Sequence, residues 1–247
     1  MHAVYRRVPF VPETHRKALA SAKRQGRTSP LPSASPIRVR QARDLGLPIV
    51  VGLERGDFTK GIPERLRAVA MAYRAGHRFA YIGIAAPTRE GVAAYAELDA
   101  VIEREAARAR EAAFWAGCPF AQVRANVGWN DVVALQRDAS VVFTSSLADG
   151  QNLIPFQAAI AQSLRPQEER GVIVAGRDAG VCHTFAGFEP DGLAPVDPLD
   201  EGSMLEALTA ALDGRPGRIS ERLIDEVRRH DALAWATGFL ADVEDPC

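Results

Sequence analysis

From residue 48 onward, short β-branched segments alternate with longer segments of helical periodicity. The first of them, Ile49-Val50-Val51, lies in a continuous apolar run, which is typical of a strand buried on both faces of a parallel sheet. Strands and helices that alternate at this spacing build a doubly wound α/β fold. We therefore predict a parallel sheet in a single Rossmann-like domain. The predicted strands are 48–53, 79–84, 122–127, 140–144, 171–175 and 194–196.

The segments between these strands carry helix signals. Pro63 and Glu64 open one helix, because a missing N–H and a negative charge both suit a first helical turn. Leu66, Val69 and Tyr73 then recur on one helical face. Further helices are predicted at about 90–115, 129–137, 152–163, 201–213, 218–230 and 232–243, with a short amphipathic helix at about 13–24.

Charge divides the chain near residue 48. The whole chain has Lys+Arg 30 and Asp+Glu 31, a net charge of −1, which argues against a nucleic-acid or membrane partner. Residues 1–48 nevertheless hold ten Lys/Arg and two acidic residues, so this stretch carries +8 and the remainder −9. Three prolines in 30–36 predict an extended connector outside the core. We therefore predict a connector over 1–47, which is either solvated or faces an acidic partner, and a folded domain over 48–247.

The three cysteines, Cys118, Cys182 and Cys247, show neither CxxC nor Cys/His ligand spacing. An odd number of cysteines without such spacing favours a reducing compartment and argues against a structural zinc. We therefore predict a cytoplasmic protein with no metal site, in which each thiol is buried or incidental.

Polar loops follow two of the predicted strands. In parallel sheets, ligands bind outside the carboxyl ends of the strands. The first loop holds Arg55 and Lys60 directly before a helix N-terminus, and these groups could hold a diphosphate. The second loop holds Asp149 and Gly150 before another helix, where a carboxylate and backbone N–H groups could bind sugar hydroxyls and a phosphate. Either loop alone is also compatible with an ordinary turn and with surface charges.

Three segments match motifs of one known family. Residues 53–65 read L-E-R-G-D-F-T-K-G-I-P-E-R, against the family's V-x-R-L-D-Y-[ST]-K-G-[IL]-P-E-R. Residues 84–95 match I-A-x-P-[ST]-R-x-x-V-x-x-Y, and residues 145–157 match T-P-L-R-D-G-M-N-L-V-A-K-E. Over about 49–243, the chain resembles the C-terminal half of the family 20 glycosyltransferases with the GT-B fold, the trehalose-6-phosphate synthases.

The resemblance implies a role for each matching position. It implies that 48–247 is a nucleotide-sugar donor-binding domain, in which Arg55 and Lys60 grip the donor diphosphate. It implies a retaining transfer of glucose from a donor such as UDP-glucose or GDP-glucose to a sugar phosphate, as in trehalose biosynthesis, with no further cofactor and no metal. The remaining implied site residues bind the sugar, the phosphate or the ribose: Asp149, Gly150, Gln151, Asn152, Leu153 and Gln157.

Two of the chain's departures from the family pattern in the second loop bear on substrate binding. Gln157 stands where the family has Glu, which predicts weaker ribose binding because the charge-assisted hydrogen bond is lost. Gln151 stands where the family has Met, and this variant resembles pseudo-glycosyltransferases that join cyclitols. A cyclitol-joining relative is therefore one alternative function.

The family's N-terminal half has no counterpart here, since residues 1–47 resemble only its end and the interdomain connector. Orientation of an acceptor supplies much of the rate in such a reaction. We therefore expect the isolated chain to bind a donor, as a truncated or split enzyme, or in a complex with a separate acceptor-domain chain or a second copy of itself. The alternatives are a degenerate, non-catalytic nucleotide-sugar-binding module and a purely structural α/β partner.

Overall fold

The structure is a computed structural model, and it describes residues 35–244. A six-stranded sheet is flanked by helices on both faces. The strands are β1 Ile49–Arg55, β2 Ala80–Ala86, β3 Phe120–Val123, β4 Val141–Phe143, β5 Val172–Gly176 and β6 Leu193–Val196. The helices are α1 Ser35–Asp44, α2 Ile62–Arg74, α3 Ala93–Trp115, α4 Trp129–Asp138, α5 Ile154–Gln162, α6 Gly180–Thr184, α7 Glu201–Leu212, α8 Glu221–Arg229 and α9 Ala232–Glu244.

All neighbouring strands are parallel, in the order β3-β2-β1-β4-β5-β6. In the register of the central strands, Val51 pairs with Ile82 of β2 on one side and with Val142 of β4 on the other. The strand order reverses between β1 and β4. A crevice opens at the carboxyl ends of the strands where the order reverses, and this is where doubly wound sheets bind ligands.

Successive residues of β1 enter two separate cores, as the period of a strand requires. Val51 packs into the apolar layer beneath α1, α4, α5 and α8, where Phe156 is also buried. Val50 packs into the opposite layer beneath α2, α3 and α7, with Leu66 of α2 and Phe143 of β4. The sheet is covered on both faces, which confirms the predicted doubly wound α/β class.

Two predictions about the chain path are wrong in detail. The predicted strand 122–127 instead runs from Phe120 to Val123, because Phe120 pairs with Tyr81 of β2 and is buried. Residues 124–127 leave the sheet as a loop. Within the predicted connector, residues 35–44 form helix α1, whose Ala42 is buried in the core. The boundary between the two predicted regions stays a prediction.

One predicted helix cannot be compared with the structure, and one observed helix was not predicted. The amphipathic helix predicted at 13–24 lies outside the described residues. Helix α6 was not predicted, because five residues are too few to show a helical period. Within residues 35–244, no helix is long and apolar enough to cross a membrane.

Candidate functional site

The loop after β1 is shaped by a short turn between Arg55 and helix α2. The Asp57 carboxylate caps a 3-10 turn over Phe58–Lys60 and accepts a hydrogen bond from the Thr59 backbone N–H at 3.4 Å. Gly61 then adopts a left-handed conformation with φ 59°. A Cβ at Gly61 would lie 2.2 Å from the Ser145 carbonyl oxygen, so only glycine fits both the conformation and the contact.

The loop after β4 lies directly against this turn. The Ser145 hydroxyl lies 2.8 Å from the Gly61 carbonyl oxygen and 3.0 Å from the Lys60 carbonyl oxygen. The Leu147 backbone N–H donates to the Thr59 carbonyl oxygen at 2.8 Å. The two loops that the sequence marked as candidate ligand loops therefore contact each other and form one edge of the crevice.

Lys60 and Asp149 meet across the junction of the two loops. The Lys60 ammonium forms an ion pair with the Asp149 carboxylate, and both side chains are largely buried. The other oxygen of this carboxylate accepts the Gln151 backbone N–H at 3.3 Å. The Asp149 carbonyl oxygen accepts the Gly180 backbone N–H at 2.9 Å, which ties the loop to α6. Asp149 is therefore fixed from three directions.

A cavity of about 540 Å³ opens between these loops and the loop that follows β3. Asn126, Val127 and Trp129 line its far wall. Six of the predicted site residues line the near wall: Arg55, Lys60, Asp149, Gln151, Asn152 and Leu153. A cavity of this volume falls within the usual range for small-molecule sites.

Two predicted site residues lie beside the cavity rather than on its surface. The Gly150 carbonyl oxygen lies 2.2 Å from the point that a Cβ at Gly180 would occupy, so this side of the loop is pressed against α6. Gln157 is buried at 4% exposure, and its backbone N–H donates to the Leu153 carbonyl oxygen at 2.9 Å. Gln157 therefore lies one helical turn behind the cavity wall, and its contact with a ribose stays a prediction.

A buried ion pair at the floor of the cavity, which Glu54 helps to line, was not predicted. Glu54 and Arg65 pair with side-chain exposures of 1% and 0%. Burial raises the pKa of Glu54, and the Arg65 guanidinium offsets part of that rise. Burial is the largest single effect on Arg65 and lowers its pKa, but the charges and hydrogen bonds of Glu54 and Tyr81 together outweigh burial, and the net shift is upward. In the sequence, Glu54 directly follows the apolar run of β1, but nothing there indicates its partner.

Arg55 and Lys60 differ in their present contacts. Arg55 is exposed, and within residues 35–244 it forms no ion pair. Lys60 is already paired with Asp149, but an ammonium has three donors, so two remain for an incoming anion. The described residues contain no group of three or more side chains that could hold a metal ion. The chemistry that this edge offers is recognition of an anion and of adjacent hydroxyl groups.

Comparison with known proteins finds the same family along the whole described chain. A profile of Glycosyltransferase family 20 matches residues 36–245. An alpha,alpha-trehalose-phosphate synthase (UDP-forming) of Yarrowia lipolytica is 25% identical over 220 residues, which are 84% of this chain and 44% of that protein. A trehalose-6-phosphate synthase of Mycobacterium sp. (strain KMS) is 29% identical over 219 residues, 84% of this chain and 43% of that protein.

Solved structures show the same relationship. An alpha,alpha-trehalose-phosphate synthase (UDP-forming) from Burkholderia xenovorans, in complex with glucose-6-phosphate, superposes with a TM-score of 0.77 at 26% identity. The match covers 96% of this chain and 50% of that one. The chain thus spans half or less of the length of these relatives. The resemblance to the C-terminal half of a trehalose-6-phosphate synthase is confirmed, and the chain belongs to glycosyltransferase family 20.

Proposed function

We propose that this chain binds a nucleotide-sugar donor, such as UDP-glucose or GDP-glucose, in the cavity between the β1 and β4 loops. In this proposal it is the donor-binding half of a retaining glycosyltransferase that transfers glucose to a sugar phosphate. One observation carries the proposal. Arg55, Lys60 and Asp149, which lie up to 94 positions apart in the sequence, line a single cavity at the carboxyl edge of the sheet.

The cationic side of the cavity suits a diphosphate. Arg55 offers a planar fork of donors and Lys60 a compact charge with free donor positions. Helix α5 begins at Ile154, so the Leu153 backbone lies where the helix dipole favours an anion. Positive charge held at this edge would stabilise the diphosphate as it leaves the sugar, which is an electrostatic contribution to catalysis.

The anionic side of the cavity suits the sugar. The Asp149 carboxylate accepts hydrogen bonds only, and sugar hydroxyls can supply the donors. Its pairing with Lys60 places this acceptor next to the cation proposed for the diphosphate. The group proposed to bind the sugar hydroxyls therefore lies beside the cation proposed to bind the diphosphate, just as the sugar lies beside the diphosphate in a nucleotide-sugar.

Transfer to an acceptor requires an acceptor site, which we propose lies outside the described residues, for example on a separate chain or a second copy. The described cysteines, Cys118 and Cys182, form no disulfide, which supports the proposal that the protein acts in the cytoplasm. Donor binding is the part of the function that this chain can be tested for directly.

Isothermal titration calorimetry of the chain with UDP, GDP and ADP, and with the glucose conjugate of each, tests the proposal. We expect saturable binding of at least one nucleotide and tighter binding of its glucose conjugate. Free glucose serves as the control and is expected to bind far more weakly, because it lacks the diphosphate. Absence of binding by all six nucleotides would refute the proposed function.

A further inference from the structure

We propose that the buried ion pair of Glu54 and Arg65 positions the donor-binding loops, so that both are positioning residues for the site. This inference rests on the function proposed above. Neither side chain was given a role by the motif match. Their contacts, however, reach every loop that contributes to the near wall of the cavity.

Arg65 joins three strands to the first turn of α2. Its Nη1 atom pairs with Glu54 at the end of β1 and donates to the Phe143 carbonyl oxygen of β4 at 3.1 Å. The same nitrogen lies 3.3 Å from the Ser145 hydroxyl, and Nε donates to the Tyr81 hydroxyl of β2 at 3.2 Å. One guanidinium therefore links the carboxyl ends of β1 and β4 and also contacts the Tyr81 side chain of β2.

Space for this guanidinium is provided by Gly52. A Cβ at Gly52 would lie 2.7 Å from both Cζ and Nε of Arg65, closer than real Cβ atoms approach. The middle of β1 is therefore shaped around the arginine, and a larger residue at position 52 would displace it. The packing holds the guanidinium in one orientation.

Glu54 extends the contacts to the second loop. Its carboxylate accepts the Ser146 hydroxyl at 3.4 Å, and that hydroxyl accepts the Asn152 side-chain amide at 3.0 Å. The Asn152 amide oxygen accepts the Ile154 backbone N–H at 3.1 Å. This chain of contacts runs from the end of β1 to the N-terminus of α5, so it holds the backbone that lines the cavity near Leu153.

The same network fixes both cations proposed for the diphosphate. Arg55 directly follows Glu54 in the chain, so the pair sets where the Arg55 backbone leaves the sheet. The Ser145 hydroxyl, which contacts Arg65, also lies within hydrogen-bond distance of the Lys60 carbonyl oxygen. A buried ion pair is costly compared with apolar packing, and its best-supported benefit is a defined geometry.

Four variants separate positioning from general stability. Glu54→Gln is isosteric and removes the charge, Arg65→Met removes the cation, and Arg65→Lys keeps the cation with fewer donors. Arg170→Met is the matched control. Arg170 is also buried, pairs with Glu221 and donates to the Arg165 carbonyl oxygen at 3.0 Å, but it lies before β5 at the opposite edge of the sheet.

Two readouts are taken from each variant, at a temperature where circular dichroism shows it folded. The first is the Kd for UDP-glucose by calorimetry, and the second is amide hydrogen exchange of residues 149–157. We expect Glu54→Gln and Arg65→Met to raise Kd by about tenfold or more and to accelerate this exchange, since charge-assisted hydrogen bonds are lost. Arg65→Lys should raise the Kd and the exchange rate less than Arg65→Met does. Arg170→Met should change neither the Kd nor the exchange rate.

Unchanged exchange of 149–157 in Glu54→Gln and Arg65→Met, or an equal acceleration in Arg170→Met, would overturn the inference. If the wild-type chain binds no donor, the proposed function fails, and the exchange measurement still decides the positioning role. If Arg65→Met does not fold, the isosteric Glu54→Gln variant decides it.

Discussion

The Lys60 ammonium and the Asp149 carboxylate form an ion pair across two loops that are 89 residues apart in the sequence, with side-chain exposures of 10% and 17%. Each charge is offset by the other in the structure. A donor diphosphate that approaches Lys60 therefore meets the Asp149 charge as well. If the proposed function holds, Asp149 lowers the affinity for a bare diphosphate and raises the affinity for a donor whose sugar hydroxyls bind the carboxylate.

The Asp149→Asn variant is expected to bind UDP as tightly as the wild type or more tightly, because Lys60 is no longer paired with a carboxylate. The preference for UDP-glucose over UDP should fall by about tenfold, since hydrogen bonds from hydroxyls to a charged acceptor are lost. Calorimetry with both ligands measures the ratio. Asp178→Asn, at an exposed carboxylate outside the cavity, is the control, and an unchanged ratio in Asp149→Asn would contradict the sugar-binding role.

Gly61 and Gly76 provide a matched pair for the junction of the two loops. Both have positive φ, but a Cβ at Gly61 would lie 2.2 Å from the Ser145 carbonyl oxygen, whereas nothing lies within 4 Å of a Cβ at Gly76. We expect Gly76→Ala to lower the free energy of unfolding by about 1 kcal/mol through conformation alone. Gly61→Ala should cost about 3 kcal/mol or more, because the loops must separate. Urea unfolding measures both, and equal losses would show that the contact is not energetically important.

The Cys182 thiol is predicted to be unreactive at neutral pH. Burial, and then the charges of Glu189 and Asp178, raise the pKa of this thiol to about 12. The thiol also donates to the Gly176 carbonyl oxygen at 3.4 Å. Because the thiolate is the nucleophile, alkylation by iodoacetamide should be at least about 100-fold slower than that of a free cysteine at pH 8.

The pH dependence of this alkylation has a definite sign. The rate should rise about tenfold for each pH unit between 8 and 10, because the thiolate fraction rises in proportion below the pKa. Peptide mass spectrometry assigns the modified residue, and the guanidinium-unfolded chain should react at the ordinary rate. Rapid alkylation of Cys182 in the folded chain at pH 7 would contradict the raised pKa of this thiol.

The sequence predicted the sheet because its central strands are short, continuous apolar runs such as Ile49-Val50-Val51. It predicted the cavity edge because Arg55, Lys60 and Asp149 follow strands whose carboxyl ends must lie together. Strand β3 was displaced in the prediction because its four residues are too few to show a period, and its register depends on pairing with β2. A strand boundary that is predicted from the local sequence pattern alone does not take this pairing into account.

The Glu54–Arg65 pair was beyond prediction for a different reason. Its partners lie at a strand end and in a helical first turn, where a charged residue is usually solvated. Whether they meet depends on how tightly α2 packs against β1, and on the room that Gly52 provides. The ligand role of Gln157, which motif matching implies, stays a prediction, and packing places this residue one helical turn behind the cavity wall.

In the proposed function, the edge formed by Arg55 and Lys60 binds the diphosphate of a nucleotide-sugar. The test is a calorimetric titration of UDP-glucose, or of whichever of the three glucose conjugates binds the wild type most tightly, into the double variant Arg55→Ala plus Lys60→Ala. Arg78→Ala, an exposed arginine before β2 at the opposite edge of the sheet, is the control. We expect the double variant to lose affinity by about 100-fold or more and Arg78→Ala to bind as the wild type does. Equal donor affinity in the wild type and in the folded double variant would contradict it.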